Sequence, residues 1–128
     1  MPVSEQRMKD VLTAYVEGFA AGDAEALIGL FAPDAIWEDP VGTEPRKGIE
    51  AIAEVYRHAA ADTFLTLDTE IRASHGNEAA MAFTVDTRHE GRRLRIKVID
   101  VMTFDEEGRI ARMRAYWGPS DVTVLDAD

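Results

Sequence analysis

A chain of 128 residues, 46% of them apolar, can bury one hydrophobic core, and it is read as a single domain over 1–128. The absence of cysteine excludes a disulfide framework, a thiolate nucleophile and a Cys-based metal site. A formal charge of −10 disfavours nucleic acid and anionic membrane as partners and points to a neutral or cationic ligand, or one held by apolar contact; with no membrane-length apolar run and no signal-peptide start, the expected location is the cytoplasm.

Met8, Val11, Leu12, Tyr15, Val16 and Phe19 recur at spacings of three and four, the apolar stripe of an amphipathic helix. Ser4 is placed to cap it, and Gly22 to end it in a left-handed conformation. Asp23 caps a second short helix carrying Ala26, Leu27, Leu30 and Phe31, which Pro33 and Asp34 terminate. A short strand, Ala35–Glu38, runs into Asp39-Pro40 and a loop with Gly42, Pro45 and Gly48. A third helix follows over about Ile49–Ala60. The period then changes to two. Phe64–Ala73, Ala79–Arg88, Leu94–Phe104 and Arg109–Trp117 read as strands, separated by the turn sequences His75-Gly76-Asn77, Glu90-Gly91 and Asp105-Glu106-Glu107-Gly108. Helices first and an antiparallel meander afterwards predict an α+β domain with the helices covering one face of a curved, mainly antiparallel sheet.

The strand over 94–104 carries the most chemistry. Leu94, Ile96, Val98, Asp100, Met102 and Phe104 alternate onto one face, and Asp100 is the single polar residue among them. Desolvation raises the pKa of such a carboxyl until the neutral acid is favoured, and a neutral acid can donate a hydrogen bond. The competing reading is an Asp satisfied by an Arg or by backbone amides. Tyr15 lies on the apolar stripe of the first helix, directed either into the core or into a cavity below it. Asp39 follows its strand on the face of Trp37, opposite Glu38; it is either an acid at a pocket mouth or a turn-initiating Asp-Pro. Met81, Phe83 and Val85, with Met113, Ala115 and Trp117, either line an apolar cavity or fill the core. His58, His75 and His89 lack metal-ligand spacing and read as surface residues. No nucleophile elbow, phosphate loop or dinucleotide fingerprint is present. Glu106-Glu107, Asp126 and Asp128 read as solvated charges.

Several pieces taken in order resemble the bacterial steroid delta-isomerases, or ketosteroid isomerases, of the nuclear-transport-factor-2-like (SnoaL-like) superfamily. They are Tyr15, Gly22-Asp23, Trp37-Glu38-Asp39-Pro40, Tyr56-Arg57, Arg72-Ala73-Ser74-His75, Val98-Ile99-Asp100-Val101-Met102, Phe104-Asp105, Gly108-Arg109-Ile110 and Ala115-Tyr116-Trp117. The resemblance spans nearly the whole chain. It implies a cone-shaped fold around a deep apolar pocket, a homodimer, and no cofactor or metal. It also implies Asp39 as general base, Tyr15 and Asp100 as oxyanion-hole donors, and Tyr56 as a supporting residue. Trp37, Met81, Phe83, Val98, Met113 and Trp117 are the expected steroid contacts. Three positions depart from the family: Phe31 stands where a third supporting Tyr occurs, Ala82 where a Pro occurs, and Trp37 is bulkier than its counterpart. The implied reaction is conversion of a 3-oxo-delta-5 steroid to its delta-4 isomer. The alternatives are a non-catalytic binder of a hydrophobic small molecule, or a related enzyme such as a polyketide cyclase or an epoxide hydrolase.

Overall fold

The computed structural model describes residues 3–125, so Asp126 and Asp128 lie outside the described residues. Three helices, α1 (Glu5–Ala20), α2 (Ala24–Ile28) and α3 (Ile49–Ala59), accompany seven strands. These are β1 (Phe31–Glu38), β2 (Arg46–Lys47), β3 (Phe64–Leu67), β4 (Glu78–His89), β5 (Arg92–Phe104), β6 (Ile110–Tyr116) and β7 (Val122–Val124).

The helix signals act where the sequence places them. The Ser4 hydroxyl accepts from the Arg7 amide and the Asp23 carboxylate from the Ala26 amide, each satisfying an otherwise orphaned helix N–H. Gly22, at φ 64°, turns the chain between α1 and α2 in a conformation that other residues adopt only at a cost. Met8, Val11, Leu12, Tyr15 and Phe19 are all buried along α1, as the three-and-four spacing requires.

The strands form one open mixed sheet in the order β2-β1-β6-β5-β4-β3, with β7 pairing β5 beyond the end of β6. Glu90 and Gly91, at φ 51° and 79°, close the β4–β5 hairpin with a two-residue turn that holds register from Glu78↔Thr103 to His89↔Arg92. That register sets the pocket, because a slip of one residue would exchange Asp100 for Ile99 on the inner face.

Three expectations are corrected. The first strand begins at Phe31, not Ala35, so Phe31, Pro33 and Asp34 are strand residues rather than the end of α2. Leu30 and Phe31 are captured by β6 through Ile110, and Pro33 and Asp34 fall in an irregularity of the β1–β6 pairing, where a missing amide is tolerated. The strand expected over Phe64–Ala73 ends at Leu67; beyond the Asp68 amide, which still bonds the Ala82 carbonyl, the chain rejoins β4 at the Arg72↔Ala80 bridge. Finally, β1 runs parallel to β6, so the sheet is more than a meander; β2 and β7, too short for a periodic signal, complete it. Periodicity reports which way a strand faces, not which strand it pairs.

The helices pack on one face of the sheet, α1 against α2 and β3, and α3 against α2 and β1. One contiguous core joins Met8, Leu12, Leu27, Ile52, Met102 and Ile110, all fully buried. Truncating such a residue to Ala costs about 2–5 kcal/mol. Opposite this core, the space between α1, α3 and the inner faces of β1, β4 and β5 is not filled.

Candidate active site

That space is a cavity of about 180 Å³ with an apolar lining. It adjoins a wider one of about 420 Å³ that shares Ala59, Thr87, Ile96 and Trp117. Tyr15, Tyr56, Asp39 and Asp100 all line the inner cavity.

Asp100 sits mid-strand on β5, paired with Met81 of β4 on one side and Ala115 of β6 on the other. It is 1% exposed, and neither carboxyl oxygen has a hydrogen-bond partner among the described residues. Burial first, and the nearby Asp39 charge second, push its carboxyl well above the usual carboxylate range. Among the described residues no Arg or backbone amide satisfies it.

Asp39 lies just past β1, where the alternation keeps it with Trp37; Glu38 turns the other way and pairs with Arg112. The Val41 amide bonds the Ala115 carbonyl at 2.8 Å, fastening the following loop to β6. Burial raises the Asp39 carboxyl, and the indole N–H of Trp117, donating to Oδ1 at 2.7 Å, holds it partly down. The two acids therefore differ in one respect that decides their states. Asp39 has a donor for its anion and Asp100 has none, so the pair loses its first proton at Asp39 and keeps the second on Asp100.

The Tyr15 Oη lies 2.8 Å from the Tyr56 Oη, and the Trp37 indole N–H donates to Tyr56 at 2.9 Å. The thioether of Met113 is a further, weak acceptor for both phenols, at 3.7 and 3.5 Å. Burial, reinforced by Tyr56 and the two acids, lifts the Tyr15 phenol well above its ordinary value; Tyr56 is raised in the same direction. Both stay neutral donors across the physiological range.

Of the expected contacts, Trp37, Phe83, Val98 and Trp117 line the cavity. Met81 and Met113 do not: both are buried among core side chains, with Met113 behind the two phenols. Phe19, Val55, Val85 and Ile96 also line it. Their signal was available, since Phe19 shares the stripe of Tyr15 and Ile96 the face of Val98. Thr63 and Thr87, whose hydroxyls lie 2.8 Å apart, are also at the wall; Thr87 shares the strand face of Phe83 and Val85, whereas Thr63 precedes β3 and carries no such signal. His58, His75 and His89 are exposed, and no acid or histidine cluster able to hold a metal exists among the described residues.

A SnoaL-like domain model matches residues 12–113. The chain is 39% identical over 120 residues to a steroid delta-isomerase of Nocardioides simplex, covering 94% of this chain and 97% of that one. It is 35% identical to the epoxide hydrolase LasB of Streptomyces lasalocidi, again over 94% of this chain but 44% of that longer protein. Among solved structures it superposes on SalBIII, an epoxide hydrolase/cyclase-like enzyme studied for pyran ring formation in the polyether salinomycin. The TM-score is 0.85 and the identity 28%, over 94% of this chain and 97% of that one. No described helix is long and apolar enough to cross a membrane. The chain belongs to the SnoaL-like family, has the cone-shaped fold of nuclear-transport-factor-2-like proteins, and counts enzymes among its relatives, a steroid delta-isomerase being one of them.

Proposed function

We propose that the protein is a cofactor-independent isomerase that converts 3-oxo-delta-5 steroids to their delta-4 isomers. The observation that carries this reading is the buried, partnerless Asp100 in the same apolar cavity as the phenol of Tyr15 and the indole-bonded carboxylate of Asp39. A neutral acid and a neutral phenol can both donate to one oxygen where negative charge develops. Asp39, ionised, removes the proton between the ketone and the double bond. The electron pair moves onto the carbonyl oxygen, giving a dienolate to which Tyr15 and Asp100 donate. Asp39, now neutral, returns the proton to the far carbon of the dienolate, and the carbonyl re-forms in conjugation. A positioned base contributes about 10²–10⁴-fold, and each oxyanion donor about 3 kcal/mol, not additively. The wider adjoining cavity gives a rigid tetracyclic ligand room beyond Trp117. A neutral substrate also suits a strongly acidic protein of the cytoplasm.

A second reading has support in LasB and SalBIII. A neutral Asp100 could protonate an epoxide oxygen while Asp39 activates the attacking hydroxyl or water. Against it, the Trp117 indole is the single hydrogen-bond partner of the Asp39 carboxylate among the described residues, so nothing else near it orients a nucleophile. We also assign a second copy of the chain to the outer sheet face, where Ile99 and Tyr116 are paired neighbours 49% and 43% exposed. A monomeric mass by light scattering would remove that assignment.

The decisive experiment mixes purified protein with a delta-5-3-ketosteroid and follows conjugated-enone absorbance, with Asp39→Asn as control. Conversion abolished in the variant, with steroid binding retained, supports the reaction and its base. Binding without conversion by the folded wild type points to a binding protein, and turnover of an epoxide instead points to the second reading.

A further inference from the structure

We propose that Trp37 is a positioning residue that orders Tyr56 and Tyr15 as a one-way chain of donors ending in the cavity; the inference rests on the isomerase reading for its catalytic consequence, but not for its geometry. An indole nitrogen can only donate, so the 2.9 Å bond from Trp37 Nε1 to Tyr56 Oη has a fixed direction. The 2.8 Å contact between the Tyr15 and Tyr56 hydroxyls does not, since either oxygen can carry the shared proton. If Tyr15 donated to Tyr56, two donors would converge on Tyr56 Oη. The Tyr56 hydrogen would be left to the Met113 thioether at 3.5 Å, a weak acceptor. In the opposite order the Tyr15 hydrogen has the same thioether at 3.7 Å until an oxygen enters the cavity, so Trp37 favours that order once such an oxygen is bound. Its N–H occupies one acceptor site on Tyr56, Tyr56 donates to Tyr15, and the Tyr15 hydrogen is free for an oxygen in the cavity. Each bond polarises the next, so the last donor is strengthened.

The neighbouring side chains leave this role to Trp37. Phe31 packs against Tyr56 with ring centroids 5.6 Å apart and offers no hydroxyl. Trp37 itself is 8% exposed on β1, edge-on to Tyr56 with an interplanar angle of 82°. Its strand position is fixed by pairing to Arg46 on one side and Met113 on the other. The indole is thus held by the same strand that delivers Asp39 two residues later.

The test is a double-mutant cycle of Trp37→Phe and Tyr56→Phe. It is read on steroid turnover and, independently, on the ionised fraction of bound 2-naphthol, whose fluorescence distinguishes phenol from phenolate. Trp37→Phe should lower kcat about threefold to tenfold and lower the bound naphtholate fraction to match, while any change in KM from the altered cavity wall should be the same in both backgrounds. In the Tyr56→Phe background the same change should cost less than about twofold, because the chain is already cut. An equal loss in both backgrounds, or none in either, overturns the proposal. Should Trp37→Phe fail to fold, the NMR signal of the Trp37 indole N–H in wild-type protein decides. It should move downfield when 2-naphthol binds and stay put in Tyr56→Phe; no difference between the two proteins overturns the chain. If naphtholate stabilisation depends on Trp37 through Tyr56 while no steroid is converted, the isomerase reading falls and the donor chain stands.

Discussion

Replacing Asp100 by Asn isolates what it costs to keep an ionisable acid in the cavity wall. The carboxyl is 1% exposed and has no partner on either oxygen among the described residues, and burial holds it well above the usual carboxylate range. In the unfolded chain an Asp titrates near 3.9 or so, roughly its model-peptide value. Above that pH the unfolded state has released a proton that the folded state retains. The unfolded state then binds one proton fewer, so stability is full below the unfolded pKa and falls as pH rises toward the folded one. One proton corresponds to about 1.4 kcal/mol per pH unit. Asn carries no such proton. The stability of Asp100→Asn minus that of the wild type should therefore grow by about 1.4 kcal/mol for each pH unit above roughly pH 4, until Asp100 itself ionises in the fold. Groups that titrate alike in both proteins cancel in the difference, and ionisation of Asp39 only pushes Asp100 further in the same direction. Urea unfolding at unit pH intervals, read by fluorescence, measures this slope. A difference that is flat with pH, or that shrinks as pH rises, would refute the raised carboxyl and with it the neutral donor.

Other perturbations separate the remaining parts of the site. Asp100→Leu, which deletes the donor, should lower steroid kcat about 10²-fold, whereas Asp100→Asn, whose amide still donates, should lose less; equal losses would speak against hydrogen-bond donation. Trp117→Phe removes the N–H that favours the Asp39 anion, so the acidic limb of the kcat/KM profile should move to higher pH, and an unmoved limb would mean that Asp39 is not the base. Gly18→Ala should lower the melting temperature, because its Cβ would lie 2.7 Å from Cδ2 of the fully buried Leu27, a clash worth about 1–3 kcal/mol. Gly29→Ala, whose Cβ would come no nearer than 3.4 Å to Glu25, is the control and should be close to neutral.

The parts of the molecule legible in the sequence are those that depend on local rules. Ser4 and Asp23 cap because a side-chain oxygen before a helix finds the next orphaned amides, and Asp100 faces inward because a strand alternates. Asp39 shares the side of Trp37 for the same reason. The parallel β1–β6 pairing was not legible, since β1 and β6 are brought together across the whole length of the domain. Met81 and Met113 were placed on the correct face but not at the correct depth. Alternation tells inside from outside, whereas the boundary between core and cavity depends on how closely the helices approach the sheet. That Phe31 carries no hydroxyl to offer Tyr56 was legible, but the indole that donates to Tyr56 from the same strand was not. A hydrogen bond between Trp37 and Tyr56 requires the angle of α3 on the sheet, which no periodicity encodes.

The Trp37 donor bears on which parts of such a site are free to vary. On the isomerase reading the reacting groups must keep their places: Asp39 at a strand end, with an indole to stabilise its anion, and Asp100 at a strand centre, where no described residue does. That the Asp100 carboxyl is pushed up further than that of Asp39 follows from this difference in position rather than from any difference in residue type. The support for Tyr15 is less constrained. Any buried group that donates to Tyr56, from any element within reach, biases the shared proton the same way, so a phenol on one strand residue can give way to an indole on another. An indole is the more directive of the two, because it cannot accept and so cannot reverse the chain. On the donor-chain proposal, a hydroxyl introduced by Phe31→Tyr should therefore matter only when Trp37 has lost its N–H.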